Sequence, residues 1–217
     1  MVDHGSGRQT GQQAGRLMVR ETSPETARAL GPEAVLVPVK AFATAKLRLA
    51  PALTGAERAG LARSMGEQVL AAARSLPVAV VCDDLEVATW ARAHGALVVW
   101  APDTGLNRAV QAGVGALAAL GVERVTVAHG DLPLAGDLTW LGRFAGVTLV
   151  PDRHLDGTNV VSVATNTGFT FSYGSGSFQR HRDEAIRLGL GLQVVQDSSL
   201  AWDVDLPADL DFARHRA

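Results

Sequence analysis

The sequence predicts a single-domain α/β fold in which a mixed, mostly parallel sheet carries helices on both faces. Short apolar, β-branched runs alternate with helical, Ala-rich stretches through the first half of the chain. This β-α-β-α order indicates parallel strands, because each right-handed crossover between them needs a covering helix. In the second half, a polar Gly- and Asp-rich segment interrupts the alternation and indicates antiparallel strands. With 217 residues, 47% of them hydrophobic, the chain can bury a substantial core.

The first half contains four predicted strands and three predicted helices. Thr54 and Glu57 have the spacing of a capping box at the start of the first helix, while Gly95 and Gly121 stand where the second and third helices end. In order, the elements are strand Ala34–Lys40, helix Leu53–Ala73, strand Val78–Cys82, helix Leu85–His94, strand Leu97–Trp100, helix Leu106–Leu120 and a strand beginning at Val125.

The regular alternation of predicted strands and helices ends after the fourth strand. Two short strand-like pieces flank the polar stretch Asp152–Asn159, and a short aromatic segment, Phe171–Tyr173, precedes a Gly-Ser loop. The predicted elements are strands Val147–Val150 and Val160–Ala164, a helix over about Ser177–Leu188, strand Leu192–Val195 and a closing helix after Pro207.

Composition excludes several classes of function. The formal net charge of −2 gives no general basic face for a nucleic-acid or anionic-membrane partner. No apolar run approaches the ~18 residues of a membrane span, so we expect a cytoplasmic protein. The single cysteine, Cys82, excludes an internal disulfide and a cysteine zinc cluster. Residues 1–31 are rich in Gly, Gln, Arg and Ser and are predicted to be a disordered extension to a domain over residues 32–217.

Asp131 is the first candidate functional residue. It follows the apolar strand that begins at Val125, directly after Gly130 and shortly before Pro133. In open α/β sheets, ligands bind outside the carboxyl ends of the strands, so Asp131 could hold a metal ion or a substrate hydroxyl. It could equally cap the following turn. The neighbouring His129 is predicted to be a packing or supporting residue rather than a base.

A cationic loop follows the first strand. Lys40, Lys46 and Arg48 lie where nucleotide-binding α/β folds place phosphate groups, which these side chains can neutralise. The alternative is a solvated basic loop. The sequence has no Gly-rich loop ending in Lys-Ser or Lys-Thr, which argues against an ordinary P-loop nucleotidase.

Two polar turns are candidates for binding an anion. Asp152–Asn159 holds more charged groups than a surface turn requires. Tyr173–Phe178 precedes a helix, where backbone N–H groups and serine hydroxyls suit a phosphate or carboxylate, although Ser before a helix is more often a simple cap. The run Arg180–Arg182 could line the same site or form a solvated face.

The chain also contains a pair of carboxylates, Asp203 and Asp205, separated by one residue. In an extended segment both would point to one side, where they could share Mg²⁺. We predict that Asp205 caps the helix near Pro207, which leaves Asp203 as the metal candidate. The six histidines have no metal-ligand spacing, so no zinc site is predicted.

Taken in order from Ala34 to Leu210, these motifs resemble the phosphoenolpyruvate or 2-phospho-L-lactate guanylyltransferases of coenzyme F(420) biosynthesis. The motifs that carry the resemblance are Val37-Pro-Val-Lys40, Ala45-Lys-x-Arg-Leu-Ala-Pro51, Gly105-Leu-Asn107, Gly130-Asp-Leu-Pro133, Asp152-Arg153 with Gly157-Thr-Asn159, Gly174-x-Gly-Ser177 and Asp203-Val-Asp205-x-Pro-x-Asp-Leu210.

The resemblance implies a nucleotidyltransferase-A (Rossmann-like) fold that joins GTP and a phosphorylated three-carbon acid with Mg²⁺ and releases pyrophosphate. It is also compatible with a homodimer. The implied roles are metal binding by Asp131 and Asp203, catalysis by Asp131, Lys46 and Arg48, acid binding by Thr158, Gly174 and Ser177, and nucleotide binding by Lys40, Lys46, Arg48, Gly105 and Asn107.

The sequence departs from the family pattern at three places. Leu155-Asp156 stands where the family usually has Gly-Thr, Ser175 where Pro is common, and Leu206 where Thr is usual. The charge of Asp156 beside an anionic substrate would oppose binding and bears on which acid is used. The alternative functions are a related nucleotidyltransferase acting on a sugar phosphate or a molybdenum-cofactor precursor, and a non-catalytic GTP-binding module.

Overall fold

The computed structural model describes residues 30–215. The predicted disordered extension therefore falls almost wholly outside the described residues. In the described part, no helix has both the length and the apolar character needed to cross a membrane.

In the described part of the chain, seven strands form one sheet with the order β3-β2-β1-β4-β6-β5-β7. Only β6 runs antiparallel to its neighbours, β4 and β5; the other pairs are parallel, which confirms the predicted mixed, mostly parallel sheet. The strands are β1 (Glu33–Pro38), β2 (Val78–Cys82), β3 (Leu97–Trp100), β4 (Arg124–Ala128), β5 (Val147–Pro151), β6 (Thr158–Ala164) and β7 (Leu192–Val194).

Four α-helices accompany the sheet in the described chain: α1 (Gly55–Ala72), α2 (Leu85–Ala93), α3 (Gly105–Ala119) and α4 (Ser177–Arg187). The predicted capping box is present, since the Thr54 hydroxyl accepts from the Glu57 N–H at 3.3 Å and the Glu57 carboxylate accepts from the Thr54 N–H at 2.7 Å. Short 3-10 helices span Phe42–Thr44, Leu47–Leu49, Leu141–Arg143 and Pro207–His215. The closing helix predicted after Pro207 is thus a 3-10 helix, and Phe171–Tyr173 has no regular secondary structure.

The two faces of the sheet build two hydrophobic clusters. Leu36 points to one face and packs in the cluster that contains Leu117 of α3, whereas its neighbour Val35 points to the other and packs with Val69 of α1 and Trp90 of α2. Successive strand residues alternate between faces, and each fully buried aliphatic side chain contributes about 1.5–3 kcal/mol. Helices therefore cover both faces, as predicted.

The strand order creates a switch point between β1 and β4. From β1 the chain adds β2 and β3 on one side, and it then returns to place β4 on the other side of β1. Crossovers that leave in opposite directions open a crevice at the carboxyl ends of the two strands. The loops that begin at Val39 and His129 border this crevice, which places both the cationic loop and Asp131 there.

Candidate functional site

A cavity of about 690 Å³ lies at the carboxyl ends of β1 and β4. Of the residues predicted to form the site, all but Asn107 line it: Lys40, Lys46, Arg48, Gly105, Asp131, Thr158, Gly174, Ser177 and Asp203. Segments that lie far apart in the sequence therefore meet around one space large enough for a nucleotide-sized ligand.

Lys46 reaches from the loop after β1 to the end of β4. Its backbone is left-handed, with φ 53°, a conformation that costs a non-glycine residue about 1–2 kcal/mol. Its ammonium donates to Asp131 Oδ2 at 2.6 Å and to Asp205 Oδ1 at 2.9 Å. Burial lowers the pKa of Lys46, but the two carboxylates outweigh that effect and raise it. Lys46 is therefore a cation at neutral pH, held in place by two carboxylates.

The two carboxylate oxygens of Asp131 have different surroundings. Oδ2 accepts from Lys46, while Oδ1 is buried and has no hydrogen-bond partner among residues 30–215. Burial is the largest single influence and raises the pKa of Asp131, but the charge and hydrogen bond of Lys46, with smaller contributions from His129 and the Asp131 backbone, together outweigh it, so the net pKa lies below the ordinary value and the group is ionised. A buried, unpaired carboxylate oxygen is costly, and a bound cation would relieve that cost.

His129 lies beside Asp131 and also lines the cavity. Its Nε2 is buried and finds no hydrogen-bond partner in the part of the chain that the structure describes, and its ring lies 4.7 Å from that of Tyr173. Burial chiefly lowers the pKa of His129 and so favours the neutral ring. The ring contact agrees with the predicted packing role.

Asp203 completes the acidic end of the cavity. Burial, reinforced by the nearby charges of Asp131 and Asp205, raises its pKa to about 6. Arg153 supports the segment, since its guanidinium donates to the Asp203 carbonyl at 2.9 Å and lies 4.5 Å from the centre of the Trp202 ring. Crowded carboxylates of this kind favour a cation between them.

The prediction that Asp205 caps the helix after Pro207 is wrong. The capping carboxylate belongs to Asp209, which accepts from the backbone N–H groups of Asp205 at 2.9 Å and Leu206 at 2.7 Å. Asp205 instead pairs with Lys46 and, at 3.5 Å, with Arg48. The alternating spacing did place Asp203 and Asp205 close to the same end of the cavity, but the sequence could not show that Asp209 would serve as the cap.

The acidic end fits a magnesium ion that is only partly enclosed by protein. The described residues contain no group of three or more His, Cys, Asp or Glu side chains arranged to hold a metal by themselves. Mg²⁺ is commonly bound by one or two carboxylates together with substrate phosphates and water. Asp131, through its unpaired oxygen, and Asp203 are the two carboxylates that could serve as such ligands.

The opposite end of the cavity is built from the start of β6 and the start of α4. Thr158 is the first residue of β6, and Ser177 is the first residue of α4; both are almost fully buried. Gly174 and Gly176 have φ angles of 109° and 71°, which glycine adopts without strain. The backbone turns sharply there and brings the N-terminus of α4 to the cavity, which favours an anionic ligand.

Asp156 fastens the turn before β6 to the start of α4. Its Oδ1 accepts from the Gly176 N–H at 3.0 Å, and its backbone carbonyl accepts from the Phe178 N–H at 3.0 Å. The preceding Leu155 has φ 59°, a left-handed conformation that suits the glycine usual in the family pattern. The extra carboxylate therefore has a structural partner and also lines the cavity.

The run Arg180–Arg182 does not form one charged surface. The Arg180 guanidinium donates to the backbone carbonyls of Ser172 and Ser175, and Arg182 lies over the Phe178 ring at 5.6 Å. His181 is fully buried and touches Thr158, which already lines the cavity. The two flanking arginines gave no indication that His181 is buried, although its position on the inner face of an amphipathic helix could have indicated it.

Acidification should destabilise the protein through His181. Burial chiefly lowers its pKa to about 4, whereas an unfolded histidine titrates near pH 6.5. Between these values the unfolded chain binds more protons, so the free energy of unfolding falls as the pH drops through that window. We expect His181 to contribute about 2–3 kcal/mol to this change in the free energy of unfolding. Denaturant unfolding at several pH values should therefore show a smaller change of that free energy with pH in His181→Asn than in the wild type. Equal pH dependence of the two proteins would contradict this.

The third side of the cavity contains the residues predicted to lie near the nucleoside. Gly105 starts α3 with φ 67° and lines the cavity together with Lys40. Asn107 faces elsewhere, because its side-chain oxygen accepts from the Tyr173 N–H at 2.7 Å and so ties α3 to the segment before Gly174. Nucleotide binding by Asn107 stays a prediction. Asp83, directly after β2, also lines the cavity and was not predicted.

The sequence is similar to a family of guanylyltransferases over most of its length. The family model "Guanylyl transferase CofC like" matches residues 33–213. Phosphoenolpyruvate guanylyltransferase of Sphaerobacter thermophilus is 35% identical over 81% of this chain and 89% of its own length. The enzyme of that name from Conexibacter woesei is 38% identical over 82% and 86%. A 2-phospho-L-lactate guanylyltransferase of Halorubrum lacusprofundi is 38% identical over 76% of each chain.

Solved structures share the fold at low sequence identity. A candidate nucleotide-diphospho-sugar transferase from Desulfovibrio desulfuricans G20 superposes with a TM-score of 0.69 at 16% identity, covering 84% of this chain and 86% of its own. A nucleotidyl transferase from Methanothermobacter thermautotroptrophicus gives a TM-score of 0.59 at 15% identity over 86% and 96%. These likenesses confirm the predicted nucleotidyltransferase fold.

Proposed function

We propose that this chain, which belongs to the family of CofC-like guanylyl transferases, joins GTP to phosphoenolpyruvate or 2-phospho-L-lactate and releases pyrophosphate. Membership makes the chain a nucleotidyltransferase. The observation that supports the proposal is one cavity with carboxylates and a buried lysine at one end and the N-terminus of α4, which suits an anion, at the other. Two anionic substrates could meet in such a cavity, and the product would feed coenzyme F(420) biosynthesis.

The proposed reaction is an in-line displacement at the α-phosphorus of GTP. A phosphate oxygen of the acid forms the new P–O bond while the bond from the α-phosphorus to the bridging oxygen breaks, and pyrophosphate leaves with that oxygen. The acceptor phosphate is already ionised, so no general base is required. Catalysis can then depend on positioning of the two substrates and on neutralisation of their charge.

Asp131 and Asp203 are the residues that would hold Mg²⁺. When bound, the ion would supply neutralisation of the triphosphate and of the leaving pyrophosphate. Lys46 would act on the same charges, because its ammonium is buried beside Asp131 and faces the cavity. Arg48, which is 74% exposed, would contribute less.

Truncating the two hydroxyls at the acid end should weaken acid binding selectively. We expect Thr158→Ala and Ser177→Ala to raise the KM for the acid about tenfold, through loss of one hydrogen bond to a charged group, and to change the KM for GTP much less. Steady-state kinetics with each substrate varied in turn would measure both constants. Thr89→Ala, which removes an exposed hydroxyl on α2 that bonds only Leu85, is the matched control. Equal effects on both KM values would argue against an acid site here.

Removing the charge of Asp156 should strengthen acid binding. Asp156→Asn keeps an oxygen that can accept from Gly176, but it removes a negative charge from the cavity wall. We expect the KM for the acid to fall about threefold or more, with the KM for GTP unchanged. Asp183→Asn, on the exposed side of α4, is the control. A higher KM for the acid would show that Asp156 contributes to acid recognition.

The identity of the substrates can be tested with a matrix of reactions. Each of GTP, ATP and CTP is combined with Mg²⁺ and with phosphoenolpyruvate, 2-phospho-L-lactate, 3-phosphoglycerate or a sugar phosphate, and pyrophosphate release is recorded. We expect pyrophosphate release with GTP and a phosphorylated three-carbon acid. Release only with a sugar phosphate would favour the alternative nucleotidyltransferase, and GTP binding without any release would indicate a non-catalytic module.

A further inference from the structure

Thr158 and His181 form a buried pair at the acid end of the cavity. Their side chains meet at 3.0 Å, between Thr158 Oγ1 and His181 Nδ1. His181 has no exposed surface, and the rings of Phe169 and Tyr173 lie 5.8 Å and 5.0 Å from its own. The imidazole therefore cannot turn freely, and its two nitrogens keep the partners that the structure gives them.

The second nitrogen of His181 fixes where the ring carries its proton. Nε2 lies 2.9 Å from the backbone N–H of Ser172, a group that can only donate. Nε2 must therefore accept, so it cannot carry a hydrogen. In a neutral ring the hydrogen is then on Nδ1, and it is donated to Thr158 Oγ1. Burial lowers the pKa of His181 to about 4 and keeps the ring neutral.

This arrangement leaves the hydrogen of the Thr158 hydroxyl free to be donated to another group. The hydroxyl oxygen accepts from His181, and the residue lines the cavity. We propose that His181 is a positioning residue that orients the Thr158 hydroxyl as a donor to an acceptor oxygen of the bound acid. The inference rests on the proposed function, because it takes Thr158 as part of the acid site.

His181 also connects the two walls of that site. Thr158 begins β6, while Ser172 belongs to the segment that leads to Gly174 and Ser177. Arg180, the preceding residue of α4, holds the same segment from outside through the carbonyls of Ser172 and Ser175. One imidazole therefore sets the direction of the hydroxyl and fixes it relative to the helix start. The ligand group so recognised is a phosphate or carboxylate oxygen, which can only accept.

Two substitutions separate the roles of the two nitrogens. In His181→Asn, a side-chain amide can stand near the position of Nδ1 and donate to Thr158. In His181→Gln, the amide oxygen can stand near Nε2 and accept from Ser172, but the donor to Thr158 is lost. We expect Gln to raise the KM for the acid about tenfold and Asn to raise it less than about threefold, with kcat and the KM for GTP nearly unchanged in both.

A merely structural histidine would give a different pattern. Equal increases of the acid KM in the Asn and Gln variants, or parallel losses in kcat and both KM values, would overturn the proposal. If either variant fails to fold, Thr158→Ser and Thr158→Val test, with His181 intact, the premise that the Thr158 hydroxyl donates to the acid. Ser should preserve the acid KM and Val should raise it about tenfold; equal values for the two would overturn the proposal.

The tautomer can be measured without turnover. Nitrogen-15 NMR of the wild-type protein at pH 7 should show His181 neutral, with the hydrogen on Nδ1 and Nε2 unprotonated. A hydrogen on Nε2, or a doubly protonated ring, would overturn the inference. Because this measurement needs no substrate, it separates a failure of the inference from a failure of the proposed function, which would appear as absence of pyrophosphate release in the wild type.

Discussion

Asp131→Asn and Asp203→Asn are each expected to lower pyrophosphate release by about 10³-fold while the proteins stay folded. Asp131 presents a buried oxygen without a partner, and the pKa of Asp203 is raised to about 6 by burial and neighbouring carboxylates. These are the two side chains that we propose hold Mg²⁺. Asparagine preserves the shape of each side chain but removes the charge that would attract it.

The test combines kinetics with a measurement that does not depend on activity. Pyrophosphate release is followed at saturating GTP and acid, and thermal unfolding is recorded with and without Mg²⁺. Mg²⁺ should raise the Tm of the wild type and leave the Tm of both variants unchanged. Asp137→Asn, whose carboxylate bonds Thr139 away from the cavity, is the control. Near wild-type turnover in either variant would rule out that residue as a metal ligand.

Lys46→Met is expected to lower kcat about 10²–10³-fold, whereas Arg48→Met should lower it less than about tenfold. The two cations were predicted together from one loop, but the structure separates them. The side chain of Lys46 is 13% exposed and that of Arg48 is 74% exposed. A buried charge is screened less by solvent, so Lys46 should stabilise the charge of the leaving pyrophosphate more strongly.

Removing Lys46 should also affect folding, because Asp131 then loses its partner. We therefore expect Lys46→Met to lower the Tm, which is measured alongside kcat for every variant. Lys46→Arg restores the charge and separates loss of charge from loss of packing. Equal kinetic effects of Lys46→Met and Arg48→Met would contradict the difference in role.

Most of the fold could be predicted because local signals agreed with it. Strands β2 and β3 have the predicted bounds, because each is a short apolar run with clear limits. Pro77 precedes β2, Gly95 lies just before β3, and a loop follows each strand. The capping box at Thr54 fixed the start of α1. The resemblance then implied which polar residues would meet, and the strand order explains why they do.

The roles of three site residues could not be predicted, because each depends on contacts with residues distant in the chain or is concealed by its neighbours in the sequence. Asp205 had the sequence context of a helix cap, but Asp209 takes that role and leaves Asp205 to pair with Lys46. His181 lies between two arginines, which concealed its place on the buried face of α4. Asp156 looked like an unbalanced charge until the structure gave it the N–H of Gly176.

In the proposed reaction, the two ends of the cavity bring GTP and a phosphorylated three-carbon acid together. Incubating the protein with GTP, Mg²⁺ and phosphoenolpyruvate, and then determining the mass of the product, tests it most directly. We expect a guanosine-diphospho-acid with one equivalent of pyrophosphate. Recovery of unchanged GTP, with phosphoenolpyruvate and equally with 2-phospho-L-lactate as the acid, would contradict it.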